Sequence, residues 1–186
     1  MQDSAGTKIQ QQEEPKLYEN PERINPTNIA GLSSILSKFL DEGEKKVILL
    51  EGAEYLITQN SYKSFLNLIH LLNDKALINK SYIILSLNPK TLNSIQVANI
   101  EKENYFRDDV KAGINLIKEE KIEHAYFYFA KMIEKGYNGI CFTRQYPETH
   151  KFLEKLLGIP QIPKSFKGRL NSTPVYWLTT NNNRSK

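Results

Sequence analysis

The sequence has very little cysteine: Cys141 is the single cysteine among 186 residues. One cysteine excludes an intramolecular disulfide and is typical of proteins from a reducing compartment. No stretch approaches the roughly 20 apolar residues that a membrane-spanning helix needs, and the polar N-terminal segment, MQDSAGTKIQ, does not resemble a signal peptide. We therefore expect a cytoplasmic protein without contact to a membrane.

Histidine is also scarce, with three residues in the chain. His70, His124 and His150 fall on three different predicted helices, without the spacing of metal ligands. We interpret them as surface or packing residues, and the sequence predicts neither a metal site nor a cofactor.

Aromatic residues, by contrast, are abundant, with ten Tyr and eight Phe, which favours a packed globular domain. The length suits one domain with a proper core. Residues 1–16 are polar and predicted to be disordered, residues 17–180 are predicted to form one domain, and 181–186 a frayed tail. The net charge of +4 permits a polyanionic partner without requiring one.

The most informative stretch is KKVILLEGAEYLITQN, residues 45–60, where four apolar residues run into Glu51 and Gly52. Such a run predicts a central strand buried on both faces. Similar runs predict further strands at 81–87, 113–118, 140–144 and 174–180, and helical periodicity predicts helices at 28–40, 61–75, 90–103, 122–135 and 148–157. The alternation predicts an α/β fold with three layers, α-β-α, and a mostly parallel sheet of about five strands.

Several segments resemble a known family. LLEGAEYLITQNSYKSFLNLIHLLND and IILSLNPKTL resemble the second half of an archaeal family known as domain of unknown function 835, and GINLIKEEKIEHAYFYFAKMIEKGYNGICFTRQYP and VYWLT resemble its first half. The match is specific in Glu54-Tyr55-Leu56, in the Gly-Tyr-x-Gly turn before Cys141 and in Thr143-Arg144 followed by Pro147. The family generally has Asp where this chain has Glu51.

The two halves occur in reversed order, at about 21–103 and 111–180. A circular permutation would close the sheet within one chain. A fragment cut from two tandem copies would need a second chain, giving a swapped homodimer. We favour closure within one chain, because the connection at 101–112 is long enough to cross the fold.

The family in turn looks like a degenerate relative of RecA-like circadian-clock ATPases, with the strand ending in Glu51 at the magnesium-binding position. An NTPase needs a glycine-rich phosphate cradle. The corresponding segment here, IKEEKIE at 117–123, has no glycine and three glutamates, which would repel a triphosphate. The resemblance therefore implies a fold without ATP hydrolysis, and we predict no enzyme activity.

Glu51, Glu54 and Arg144 are the candidate ligand-binding residues, because the carboxyl ends of parallel strands form the ligand edge of open α/β sheets. Glu51 is interpreted first as a solvated or hydrogen-bonded carboxylate at the rim, and Arg144 as its partner in a salt bridge. The alternative is that Arg144 receives an anion.

A second candidate site is the basic loop KSFKGR. Lys164, Lys167 and Arg169 surround Phe166, an arrangement that permits weak contact with nucleic-acid phosphates and a stacked base. A flexible loop that keeps the surface soluble is the simpler interpretation.

The preferred functional hypothesis is a non-catalytic signalling or protein-interaction module, with a protein partner or self-association. The alternatives are a nucleotide- or anion-binding switch or enzyme at Glu51, and weak nonspecific binding of nucleic acid.

Overall fold

A computed structural model of the chain describes residues 22–103, 106–107, 112–117, 122–144, 146–157 and 175–179. The predicted disordered segment 1–16, the basic loop with Lys164, Phe166, Lys167 and Arg169, and the tail 181–186 lie outside these ranges. Those three predictions stay as predictions.

The strands form one sheet in the order β1-β7-β6-β2-β3-β5-β4. All neighbouring strands are parallel except β4, which runs antiparallel to β5. The strands are β1 (Glu22–Arg23), β2 (Lys46–Leu50), β3 (Tyr82–Ser86), β4 (Phe106–Arg107), β5 (Ala112–Ile117), β6 (Asn138–Thr143) and β7 (Val175–Thr179).

Helices cover both faces of the sheet. One hydrophobic cluster packs the first four helices, which form the first helical layer, against one face of the sheet. A second cluster packs the last two helices, which form the second helical layer, against the opposite face. The helices are α1 (Ile29–Asp41), α2 (Ala53–Gln59), α3 (Tyr62–Ile78), α4 (Ser94–Glu103), α5 (Glu123–Glu134) and α6 (Tyr146–Leu157). The predicted three-layer α/β fold with a mostly parallel sheet is confirmed.

Strand β2 occupies the middle of the seven-stranded sheet, with three strands on each side. Its five residues are all buried. Ile48 and Leu50 pack into the first cluster, whereas Val47 and Leu49 pack into the second. A strand with both faces covered needs apolar residues at consecutive positions, which is why the run Val47–Leu50 predicts it correctly.

The two halves of the sequence interleave in this sheet. Strand β6 pairs with β2 on one side, and β5 pairs with β3 on the other. All seven strands thus pair within a single chain.

The sequence prediction differs from the structure in two places. Among the described residues the sheet has seven strands instead of about five, because the two-residue strands β1 and β4 are too short to give a hydrophobic pattern. The segment after Gly52 forms the separate helix α2, which the prediction missed. Of its seven residues only Ala53 and Leu56 are buried, so its periodicity is too weak to predict a helix.

Within the described ranges, no helix combines the length and the apolar character needed to cross a membrane.

Candidate functional site

The carboxyl ends of the parallel strands β2 and β6 lie side by side at the point where the strand order reverses: β3 lies on one side of this pair and β7 on the other. From β2 the chain passes to α2 in the first helical layer, and from β6 it passes to α6 in the second. Open α/β sheets form a crevice between such diverging connections, and ligands commonly bind there. Glu51 and Gly52 follow β2, and Arg144 follows β6, so this edge contains the predicted residues.

Glu51 is the first of these residues, and its side chain is buried beneath the second helical layer. Its backbone N–H donates to the carbonyl of Phe142 over 3.0 Å, which extends the pairing of β2 with β6 by one residue. Its Oε2 accepts hydrogen bonds from the Tyr126 hydroxyl at 2.8 Å and the Thr149 hydroxyl at 3.0 Å. The residue is 5% exposed. Glu51 therefore connects β2 to both α5 and α6.

A third hydroxyl completes this cluster. Thr143 Oγ1 lies 2.9 Å from Thr149 Oγ1, and both side chains are buried. A threonine hydroxyl has one proton. Because Thr149 donates that proton to Glu51, it accepts from Thr143. We name Glu51, Tyr126, Thr143 and Thr149 the hydroxyl–carboxylate cluster.

The electrostatics around the cluster oppose further negative charge. Burial, together with the neighbouring Glu51 carboxylate, raises the pKa of the Tyr126 hydroxyl well above its usual value. Burial, with a smaller contribution from Glu51, also raises the pKa of the Cys141 thiol. A thiol in this state is a poor nucleophile. Both groups therefore stay protonated at neutral pH.

The sequence predicts that Glu51 is either a solvated or a hydrogen-bonded carboxylate. The structure shows a hydrogen-bonded and buried carboxylate, so the solvated alternative is wrong. The hydroxyls of α5 and α6 cover a carboxylate that the sequence pattern places at an open rim. The residues that cover it come from 75 and 98 positions further along the chain, and no local pattern reveals that contact.

Arg144 lies on the solvent side of the same edge and is exposed. The predicted salt bridge with Glu51 is wrong: among the described residues the Arg144 guanidinium has no carboxylate partner. Instead it stacks over the ring of Tyr55, with its central carbon 4.1 Å from the ring centroid. The Glu51 side chain packs against the second helical layer, whereas the Arg144 side chain packs on Tyr55 of α2 in the first layer. The two oppositely charged groups therefore point in different directions.

Gly52 makes room for this arginine. It has a left-handed conformation, with φ of 82°, and a Cβ there would lie 3.0 Å from Arg144 Cδ. Glycine adopts that conformation without the steric cost that other residues incur. The turn therefore requires glycine for its backbone and for the passage of the Arg144 side chain.

Glu54 points to another neighbour at this edge. Its Oε1 accepts a short hydrogen bond from the backbone N–H of Asn88, just beyond β3. Glu54 therefore connects α2 to the loop after β3, and the three candidate residues share an edge without sharing one contact network.

Three further predictions concern metal ligands, Cys141 and the basic loop. In the part of the chain that the structure describes, no three His, Cys, Asp or Glu side chains gather as a metal site would require. Cys141 is buried within β6. The candidate nucleic-acid residues from 164 to 169 lie outside the described ranges, so that site remains a prediction.

Tyr126, Thr143 and Thr149 are the residues that sequence reasoning missed. Two signals in the sequence point to Tyr126 and Thr149. Tyr126 belongs to the apolar stripe of α5, and a buried tyrosine hydroxyl normally has a hydrogen-bond partner. Thr149 lies one helical turn before the buried Leu153 on the inward face of α6, where a polar residue also needs a partner.

The fold and its edge define the class of this protein as an open, doubly wound α/β protein whose switch-point acid is buried. The chain belongs to the family described as protein of unknown function (DUF835), whose model matches residues 7–103. The match includes Glu51, Gly52, Glu54 and Tyr55, and it ends before Tyr126, Arg144 and Thr149. No curated protein and no solved structure matches the chain significantly.

Proposed function

We propose that this protein is a non-catalytic protein-interaction or signalling module, in which the acid at the strand end has a structural role. One observation supports this above all others: the Glu51 carboxylate is buried and accepts hydrogen bonds from Tyr126 and Thr149. A magnesium-holding acid has to present its oxygens to the ion and its waters. Here Oε2, one of the two carboxylate oxygens, already accepts from two protein hydroxyls, and the residue is 5% exposed.

The sequence after β5 supports the same proposal. IKEEKIE lacks the glycines whose backbone N–H groups would surround a phosphate, and its glutamates oppose a polyanion. We propose that the fold is a degenerate form of the RecA-like type. We also propose that the protein is of archaeal origin and is located in the cytoplasm.

The strand pairing supports a permuted order of the family's halves. Because β6 pairs with β2 and β5 with β3 inside one chain, a self-closed sheet requires no second copy. A swapped homodimer would make these pairings between chains, and the mass in solution distinguishes the two arrangements.

Thermal unfolding in the presence of nucleotides tests the proposed function. We expect ATP, GTP and cyclic dinucleotides, with and without Mg²⁺, to leave the melting temperature unchanged, and no phosphate to be released. The matched variants are Glu51→Gln in the cluster and Glu148→Gln, which removes an exposed acid from α6.

A stabilisation of several degrees by a nucleotide that disappears in Glu51→Gln and persists in Glu148→Gln would overturn the proposal. Where Glu51→Gln fails to fold, nucleotide stabilisation of the unmodified protein tests binding, and phosphate release by the unmodified protein tests catalysis. Release above the buffer rate contradicts a non-catalytic role.

A further inference from the structure

The Arg144 side chain bridges the two connections that diverge at the switch point. It starts at the end of β6, crosses over Gly52 and ends on Tyr55 of α2. Long surface side chains usually keep their rotamer freedom. A close approach to a glycine backbone and an aromatic ring restrict this one, so the position of the guanidinium is defined before any ligand arrives.

Stacking leaves the hydrogen-bonding capacity of the guanidinium intact. The five N–H donors of arginine lie in the plane of the group, whereas contact with the Tyr55 ring uses one face. Within the described residues the guanidinium donates to no carboxylate, and the side chain is exposed. The planar edge of Arg144 is therefore available to an anion.

The charges nearby favour a single negative charge on that anion. Glu51 and Glu54 are the chain neighbours of Gly52 and Tyr55, the two residues that the Arg144 side chain contacts. A phosphate dianion would be repelled by these carboxylates more strongly than a carboxylate would. A carboxylate also matches the guanidinium with two parallel hydrogen bonds.

We propose that Arg144, positioned by Tyr55 and Gly52, binds a carboxylate group of a partner protein. This inference rests on the proposed interaction role and names the chemistry of the partner. An acidic side chain and a free C terminus both supply this group.

NMR titration of ¹⁵N-labelled protein, followed at the Arg144 Nε–Hε signal, tests the site. The probes are acetyl-Gly-Asp-Gly-amide for a side-chain carboxylate, acetyl-Gly-Gly-Gly for a C-terminal one, acetyl-Gly-Asn-Gly-amide as a neutral match, and inorganic phosphate, all at one ionic strength. We expect a saturable shift with a carboxylate peptide and none with the Asn peptide. The tighter of the two carboxylate peptides identifies the source.

Three variants locate the effect. Arg144→Lys keeps the charge but loses the planar fork, and we expect about tenfold weaker binding, followed at the Tyr55 amide. Tyr55→Leu removes the aromatic ring and should weaken binding as well. Lys135→Gln, which removes an exposed cation next to the amino end of β6, should leave the affinity unchanged.

Equal shifts with the Asp and Asn peptides would overturn the site, as would undiminished binding in Arg144→Lys. Tighter binding of phosphate than of either carboxylate would overturn the choice of ligand. These outcomes are independent of the nucleotide experiment, because a nucleotide effect that depends on Glu51 would contradict the non-catalytic role whatever the peptides do.

Discussion

At the scale of single residues, the burial of Glu51 is the feature with the largest consequence. A buried carboxylate is costly to the folded state unless hydrogen-bond donors replace the lost water. Tyr126 and Thr149 supply two such donors, and Thr143 in turn completes the bonding of Thr149. Removal of one hydroxyl would therefore leave a buried acceptor with fewer partners.

The first residue-scale prediction concerns Tyr126→Phe. This change keeps the ring and its packing against Phe152 but removes the donor to Glu51. We expect a loss of about 1–3 kcal/mol in the free energy of unfolding, since a buried charged acceptor loses a hydrogen bond. Urea denaturation measures it.

Tyr128→Phe is the matched control, because Tyr128 belongs to the same helix and is 49% exposed. Because about half of this residue is exposed, the change should stay within about 0.5 kcal/mol. Equal stability of the two variants would show that the cluster does not stabilise the fold.

At the scale of elements, the connection from β2 to α2 determines where each charged group points. The left-handed residue Gly52 turns the chain sharply after Glu51, so that Glu51 remains with the second layer while α2 begins in the first. The same turn leaves space for Arg144 to reach Tyr55. A short turn thus separates a buried acid from an exposed base.

Gly52→Ala should destabilise the protein by about 1–2 kcal/mol, because the alanine Cβ comes too close to the following carbonyl oxygen in the left-handed conformation. An additional loss should come from the contact of the new Cβ with Arg144 Cδ. Chemical denaturation of Gly52→Ala in the natural background and in Arg144→Ala separates the two contributions.

In the Arg144→Ala background we expect the cost of Gly52→Ala to fall to the backbone penalty alone. Gly52→Asn should be milder than Gly52→Ala, since asparagine tolerates this conformation better. Identical costs in both backgrounds would mean that Arg144 is free to move away from Gly52.

At the scale of the whole molecule, two buried or half-buried tyrosines on the second-layer side of the sheet make stability depend on alkaline pH. Burial and the neighbouring Tyr137 raise the pKa of Tyr82 to about 12. Burial and Glu51 raise the pKa of Tyr126 further. The unfolded chain releases these protons near the ordinary tyrosine pKa of about 10.

We therefore expect full stability below pH 10 and a decline as the pH rises above it, since the folded state then holds protons that the unfolded state has lost. Denaturation at several pH values between 9 and 11, a range set about the ordinary tyrosine pKa, measures the slope. Tyr126→Phe should reduce that slope, and Tyr128→Phe should not. A slope unaffected by Tyr126→Phe would contradict the contribution of this residue.

Much of the fold follows from the sequence. The run at β2 predicts a fully buried strand, and the periodic apolar positions predict α1, α3 and α5 with nearly correct bounds. The helix α2 was missed because its apolar residues are too few to form a pattern. The edge that collects Glu51, Glu54 and Arg144 was predicted as well, because parallel strands end on the same side of a sheet.

The sequence by itself determined the alternation of strands and helices, the central position of β2 and the acid that follows it, since these depend on local hydrophobic pattern. The tertiary structure decided what that acid does. In the folded chain, Tyr126 and Thr149 donate hydrogen bonds to Glu51 from distant positions in the sequence. Arg144 stacks on Tyr55 instead of pairing with Glu51. Local pattern specifies which residues are buried, whereas the directions of side chains at a turn depend on the packing of whole elements.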